Sequence, residues 1–331
     1  MARVGIYGAS GYTGFELIKL LTRHPQVEIA FATARSAAGK RLSDIFPTLI
    51  DQPLVATEQS DLRGVDLVFT CLPHNTPELI PLVQAALDAG VKVVDFSDTF
   101  RLESLDAYAR WRKEDHPAPE LQRAAVYGLP ELHRERIRRA RLVANTGCYP
   151  LTAILPLHPL VKAGLLAGGA AIVDSESGVS GAGRSLSLKT HFGETHETFS
   201  AYNVGRTHRH LPEMEQETGL HIIFSPHLLP VYRGILSTIY VNTRPEVSEA
   251  DVRDAYGIYA DEPFVKLLPA GRLPELRHVV GSMSLAIGVQ QVEEGRFILV
   301  ACVDNLIKGA SGQAVQSMNL MLGMEETTGL R

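Results

Sequence analysis

The residues best suited to chemistry lie in Val143-Ala144-Asn145-Thr146-Gly147-Cys148-Tyr149-Pro150. A short apolar run ends at Ala144, Gly147 permits a tight turn, and a helix-compatible run from Leu151 to Leu155 follows. Strand, turn, then helix puts Cys148 at or beside a helix N-terminus. The helix dipole and the N–H groups of the first turn favour a thiolate there. A free thiol titrates near ~8.5, and such sites lower it to roughly 3.5–7.5. The same stretch also fits a buried cysteine acting as a small hydrophobe.

A second group is His208-Arg209-His210-Leu211-Pro212-Glu213. The run Thr207–Gln216 reads as a helix entrance, with Pro212 in the first turn. On a helix His210 and Glu213 are three apart and within reach of each other. A carboxylate beside an imidazole orients it and raises its basicity, as a general acid or base requires. Two surface histidines near a helix start, or a His-x-His metal site, are the competing readings. No third ligand stands at a recognisable spacing, and His191 and His196 complete no known pattern, so no metal is expected.

The third group binds rather than reacts. Arg3–Tyr7 reads as a buried strand, followed by Gly8-Ala9-Ser10-Gly11-Tyr12-Thr13-Gly14 and a helical pattern from Phe15 to Arg23. A second strand runs from Val27 to Thr33. Strand, glycine turn and helix make a dinucleotide cradle: Gly8 for the turn, Gly11 for phosphate approach, Gly14 for helix packing. NAD sites place an acid about 20 residues after the glycines. Here the chain reads Ala32-Thr33-Ala34-Arg35-Ser36, and a guanidinium with a hydroxyl suits a 2′-phosphate. The expected cofactor is therefore NADP(H); a solvated loop arginine is the alternative. The Gly/Ser loop Ser177-Gly178-Val179-Ser180-Gly181-Ala182-Gly183-Arg184 could offer backbone N–H groups to phosphate or cofactor, or be a flexible turn.

These groups need elements to hold them. The 331 residues suggest two domains at about 100–200 residues each. A formal charge of -5 supplies no basic stripe for nucleic acid. No uncharged apolar run reaches the ~18 residues of a membrane span, and no signal peptide precedes the first strand. Three widely spaced cysteines form neither a disulfide framework nor a metal motif, so the cytoplasm is expected. Cys71 and Cys302 sit in strand patterns as core. Strands Val65–Cys71 and Val91–Asp95, with a helix from near Thr76 to Gly90, continue a parallel sheet whose strand ends face the ligand. His74, Ser97 and Arg101 are site candidates for that reason. The segment 102–140 reads as charged helix or irregular chain. A helix follows Cys148 to Lys162–Gly164, and Ser248–Ala260 reads as amphipathic helix. Strands at Ala170–Ser177, His221–Phe224, Gly234–Asn242, Met283–Gln290 and Gly295–Asp304 make a mostly antiparallel α+β half. Lys308–Gly312 opens a last helix, and the tail from Met324 to Arg331 is expected to fray.

A nicotinamide site with an activated thiol and a histidine narrows the chemistry. A thiolate is needed when the carbonyl is at the acid level: it forms a thioester, which hydride converts to an aldehyde. Five motifs then carry a resemblance along the whole chain: Gly8–Gly14, Asn145–Pro150, Ser177–Arg184, His208–Glu213 and Asp304–Ser311. Together they resemble the N-acetyl-γ-glutamyl-phosphate reductases of arginine biosynthesis, in the aspartate-semialdehyde dehydrogenase superfamily. The resemblance implies that Cys148 is the thioester nucleophile and His210 the acid/base supported by Glu213. It implies NADP contacts from Ser10 to Thr13, Arg35, Ser36 and Asn305, with Gly8, Gly11, Gly14, Ser180 and Gly181 in the same role. Arg101, Ser177, Arg184 and Arg209 are the candidate contacts for an acyl phosphate and for the inorganic phosphate released.

It also implies an α/β fold with a Rossmann-type NADP-binding domain (1–148 and 309–331) and an α+β catalytic and oligomerisation domain (149–308), in a homodimer or homotetramer. The family has Pro where Thr146 stands and Thr where Leu151 stands. A related branch reduces carrier-bound aminoadipyl phosphate, but its cysteine segment lacks the Tyr-Pro pair; a sister family makes aspartate semialdehyde from aspartyl phosphate. A non-catalytic NADP sensor or a nucleotide-independent cysteine hydrolase are the readings from other classes. The first would be indifferent to Cys148→Ser, and the second would turn over a thioester without nucleotide.

Overall fold

The computed structural model describes residues 1–73 and 76–331. His74, a site candidate from the sequence, lies outside the described residues. The chain divides into two compact units, Met1–Thr146 with Ala310–Arg331, and Gly147–Gly309. The first therefore ends two residues before the expected 148, because Cys148 opens a helix of the second.

The first unit runs β1 (Ala2–Tyr7), α1 (Tyr12–Thr22), β2 (Val27–Ala32), β3 (Leu67–Thr70), α2 (Leu79–Asp88), β4 (Lys92–Asp95), α3 (Leu105–Arg112), α4 (Pro119–Ala124), β5 (Ala125–Gly128), α5 (Pro130–Arg139) and β6 (Leu142–Asn145). Its strands form one parallel sheet in the order β2-β1-β3-β4-β6-β5. β3 and β6 are buried at every position, as helices on both faces of a parallel sheet demand. The order reverses between β1 and β3, the switch point at which such sheets hold ligands. β5 was not legible in the charged 102–140 segment. It is four residues between two charged helices, and Gly128 lets it approach β6: a Cβ there would meet the Ala144 carbonyl at 2.9 Å.

In the second unit α6 (Cys148–Lys162) precedes β7 (Ala170–Gly178), α7 (Phe192–Thr195), β8 (Ser200–Ala201), α8 (Leu211–Thr218), β9 (His221–Leu229), β10 (Ile235–Asn242), α9 (Glu249–Ala255), β11 (Val265–Leu267), β12 (Leu285–Glu293) and β13 (Arg296–Val303). The sheet order is β11-β12-β13-β10-β7-β9-β8. It is mixed: β7–β9 and β11–β12 are parallel, and the other four pairings antiparallel. Along β7, Ala171, Val173, Ser175 and Ser177 are buried, while Ile172 is exposed and Asp174 and Glu176 half-buried. The expected amphipathic helix from Ser248 is α-helical only to Ala255 and tightens into a 3₁₀ turn, Tyr256–Tyr259.

α6 carries Pro156 and Pro159 inside it. Pro159 has no N–H for the Leu155 carbonyl, and the Tyr259 hydroxyl donates to that oxygen at 3.0 Å. The Tyr256 hydroxyl donates to the Pro156 carbonyl at 2.8 Å.

The last helix, α10 (Gly312–Met321), rejoins the first unit and is buried at all ten positions. The tail after it does not fray. Arg134 pairs with Glu326 at 2.8 Å, Asn319 donates to the carbonyls of Glu326 and Thr328, and Leu330 is buried. Among the described residues no helix is long and apolar enough to cross a membrane.

Candidate active site

β6 ends at Asn145, and Gly147 caps α6 in an extended conformation (φ −71°, ψ 154°), so Cys148 is the first residue of a fifteen-residue helix. The Gly147 N–H donates to the Glu213 carboxylate, Oε2, at 3.0 Å. Glu213 is 1 % exposed, so it pins the turn before the thiol from inside the second unit. The sequence paired Glu213 with His210 inside a helix. His210 instead occupies the N-cap position of α8 (φ −86°, ψ −8°), one residue before the helix. Its backbone N–H donates to Nδ1 of His208 at 3.1 Å, so that His208 nitrogen is an acceptor and carries no proton. Both imidazoles are buried.

Tyr149 forms the wall behind these rings. It meets His208, His210 and Phe224 edge-on, with centroids 5.4, 6.1 and 5.2 Å away. Its hydroxyl lies 2.8 Å from that of Tyr202. Burial, with the nearby Cys148 charge, pushes both phenols up, Tyr202 to about 12, so both keep their protons at neutral pH. Burial likewise pushes the Cys71 thiol far up and the Cys302 thiol to about 12, leaving both as inert thiols.

The turn before α10 also reaches the cysteine. Asp304 Oδ1 accepts from the N–H groups of Leu306 and Ile307 at 2.9 and 3.0 Å, and the chain then makes a π-turn over Ile307–Ser311. A Cβ on Gly309 would stand 3.1 Å from Cys148 Cβ. A side chain there would be tighter than an ordinary contact, and its neighbour would have to give by a few tenths of an ångström. Wide turns of this kind gather at functional sites. The sequence read Lys308–Gly312 as a plain helix start; nothing in its spacing signals the π-turn or the contact of Gly309.

The Ser177–Arg184 loop is anchored at its start within the second unit. Its Gly178, Val179 and Ser180 N–H groups donate to the carbonyls of Gly234, Val231 and Tyr232 at 2.9 Å each. Asn305 locks the loop, donating to Ser180 Oγ at 3.0 Å and accepting from the Gly234 N–H at 2.7 Å. Ser177 and Ser180 are buried, whereas Gly181, Arg184 and Arg209 are exposed. The sheet also gathers Asp174, Glu176 and His227, with ligand atoms within 4.8 Å of one another; neither His208 nor His210 belongs to this group.

In the first unit the glycine turn follows β1. Gly8 has φ +84°, and a Cβ there would strike the Cys71 carbonyl at 2.6 Å. Gly14 lies against Ala9, with 2.7 Å left for a Cβ. Gly11 is different: a Cβ there would meet nothing nearer than 4.0 Å. It leaves open space above an α1 N-terminus that no side chain caps. The shape and the dipole suit a pyrophosphate, and in this respect the residues fit a dinucleotide. Ser10, Tyr12 and Thr13 are half-exposed around it. At the end of β2, Arg35 and Ser36 are exposed, and Arg35 pairs with Glu78. At the end of β4, Asp95 accepts from Thr70 and Ser97, and burial raises its carboxyl to about 6. Arg101 is buried and donates to the Phe96 carbonyl at 2.8 Å. Ser97 and Arg101 were legible as strand-end candidates, whereas Asp95 reads in the sequence only as the last residue of a strand.

Two family models match the chain: the semialdehyde dehydrogenase NAD binding domain over residues 3–140, and the semialdehyde dehydrogenase dimerisation domain over residues 148–305. Proteins named N-acetyl-gamma-glutamyl-phosphate reductase are similar over their whole length. That of Pelotomaculum thermopropionicum is 46 % identical, covering 99 % of this chain and 97 % of its own. That of Desulforudis audaxviator is 47 % identical, covering 100 % and 98 %. Among solved structures, aspartate semialdehyde dehydrogenase II of Vibrio cholerae in complex with ASA superposes with a TM-score of 0.76 at 18 % identity, covering 98 % of each chain. The aspartate semialdehyde dehydrogenase of Candida albicans with NADP gives 0.71 at 18 % identity, over 97 % and 98 %. The latter two share the fold. The full-length identity goes further: the chain belongs to the N-acetyl-γ-glutamyl-phosphate reductases of the semialdehyde dehydrogenase family.

Proposed function

We propose that the protein reduces N-acetyl-γ-glutamyl phosphate to N-acetylglutamate 5-semialdehyde and phosphate with NADPH, a step of arginine biosynthesis. The observation that carries this is 46–47 % identity, end to end, to reductases of that name. The Cys148 thiolate, at the α6 N-terminus, attacks the acyl carbonyl; the acyl–phosphate bond breaks and phosphate leaves, giving a thioester. NADPH, when bound, supplies the hydride that takes the thioester carbonyl to the aldehyde level. His210 gives a proton to the hemithioacetal oxygen and takes it back as the C–S bond breaks, so that the aldehyde leaves and the thiolate re-forms. Glu213 holds the Gly147 turn, so the thiol keeps its place on the helix end. Gly8, Ser10, Gly11, Tyr12, Thr13 and Gly14 would seat the pyrophosphate, and Arg35 with Ser36 the 2′-phosphate. Arg101, Ser177, Arg184 and Arg209 are the proposed acyl-phosphate contacts. Asn305, Ser180 and Gly181 are proposed as cofactor contacts through the loop that Asn305 braces.

The family is oligomeric by the name of its second domain. We assign the homo-oligomer contact to the second sheet, where Tyr240, Ile172 and Ile223 are paired neighbours across three strands and all exposed. Such a contiguous apolar row suits a second copy. Ile223→Glu should then lower the mass seen by light scattering, and an unchanged mass would place the contact elsewhere. Three free cysteines fit the proposed cytoplasmic setting.

The decisive assay runs the reaction backwards. Given N-acetylglutamate semialdehyde, NADP and inorganic phosphate, the protein should make NADPH steadily. Without phosphate it should give at most a burst of about one NADPH per site, the mark of a trapped thioester. Phosphate-independent steady turnover, or a preference for aspartate semialdehyde, would refute the assignment.

A further inference from the structure

Arg35 stands where a 2′-phosphate is expected, yet its guanidinium is already engaged. Nη2 donates to both carboxylate oxygens of Glu78, at 2.7 and 2.8 Å, across 43 residues of sequence. The two side chains are 75 % and 49 % exposed, so neither is locked in place by packing. Glu78 is also the N-cap residue of the ten-residue α2. A carboxylate there keeps the favourable field of the helix N-terminus when its partner leaves. We infer that Glu78 is the counter-charge that Arg35 exchanges for the cofactor's 2′-phosphate, so that Glu78 sets the strength of NADPH binding without taking part in the chemistry.

The direction of the effect follows from charge. A 2′-phosphate is close to a dianion and must draw Arg35 away from one carboxylate while lying near it. Glu78 therefore opposes NADPH twice, by competition for the guanidinium and by repulsion. NADH carries a neutral hydroxyl at that position, leaves the pair intact and is indifferent to Glu78. The inference rests on the proposed role of Arg35, and the test separates the two.

Equilibrium titration of NADPH and NADH by nucleotide fluorescence, at low and at physiological salt, reads the effect directly. Glu78→Gln should tighten NADPH by about two- to five-fold at low salt, the range of an exposed ion pair. The gain should shrink as salt rises, and NADH affinity should not move. Arg35→Ala should weaken NADPH alone and shrink the response to Glu78→Gln in the double variant. Unchanged or weaker NADPH binding by Glu78→Gln, with Arg35→Ala still damaging, would overturn the exchange and leave Arg35 in its role. NADPH affinity indifferent to Arg35→Ala would remove the role of Arg35 and the exchange with it. Both side chains are exposed, and a melting temperature matching the parent's would show that each variant is folded.

Discussion

His208 and His210 are both buried, and a backbone hydrogen bond ties one to the other. Nδ1 of His208 accepts the His210 N–H at 3.1 Å, so His208 holds the backbone of its neighbour. His210 caps α8, with its ring edge-on to Tyr149. Proton transfer by a placed side chain contributes about 10²–10⁴-fold in rate. His210→Asn should therefore lower kcat by that order. His208→Asn should cost less and leave the pH profile unshifted, because it disturbs placement and not the proton itself. Steady-state kinetics across pH would check both. A larger loss at His208 would reverse the assignment.

At the scale of elements, the site depends on how closely two backbones approach. The π-turn of Ile307–Ser311 passes close to Cys148, leaving a Cβ on Gly309 less than an ordinary contact distance. Gly309→Ala would put a methyl 3.1 Å from Cys148 Cβ, and one of the two must give by a few tenths of an ångström. Misplacement of about 1 Å costs on the order of 10²-fold, so a loss of roughly ten-fold in kcat is expected, with NADPH affinity retained. Kinetics paired with nucleotide titration would show it, and full activity in that variant would mean that the turn is only a scaffold. Most elements here were legible in the sequence. The glycine turn, the strand–turn–helix at Cys148 and the end of α6 at Lys162 follow from local pattern. The π-turn was not legible, since its i→i+5 bond, from the Gly309 N–H to the Asp304 carbonyl at 2.9 Å, leaves no mark in the side-chain pattern. β5 was hidden because four strand residues between charged helices carry no period of their own.

At the scale of the whole molecule, stability should depend on pH through two histidines of the first unit. His24 lies against Asn319 and accepts the Gln26 N–H on Nδ1. His116 donates to the Thr99 carbonyl and accepts the Ala118 N–H. Burial lowers both pKa values below the usual 6.5. The unfolded chain therefore takes up protons first. This stability is present above pH ~6.5 and is lost as pH falls through the folded values, by at most about 1.4 kcal/mol per pH unit for each histidine. Asp95 acts in the opposite sense. Its raised value of about 6 makes ionisation costly in the fold, and that cost is relieved only below pH 6. Denaturant titrations from pH 7.5 to 6 should thus show falling stability, with a shallower slope in the His24→Gln, His116→Gln double variant. An unchanged slope would mean that other groups govern it.

What the sequence by itself determined was chemistry that needs only neighbours along the chain. A thiol after a glycine turn, glycines after a first strand, and an arginine where an acid would mark NAD are all local, because turns and helix ends are set within a few residues. The tertiary structure decided everything that depends on who arrives from afar. Glu213 comes 66 residues along the chain to hold Gly147, a partner that no spacing in the sequence announces. Three N–H groups of the Ser177–Arg184 loop, those of Gly178, Val179 and Ser180, are spent on the 231–234 turn. The tail expected to fray is held by Arg134, from a segment that read only as charged helix or irregular chain. In each case the burial of a polar group obliges it to find a partner, and the sequence does not say which one the fold will bring.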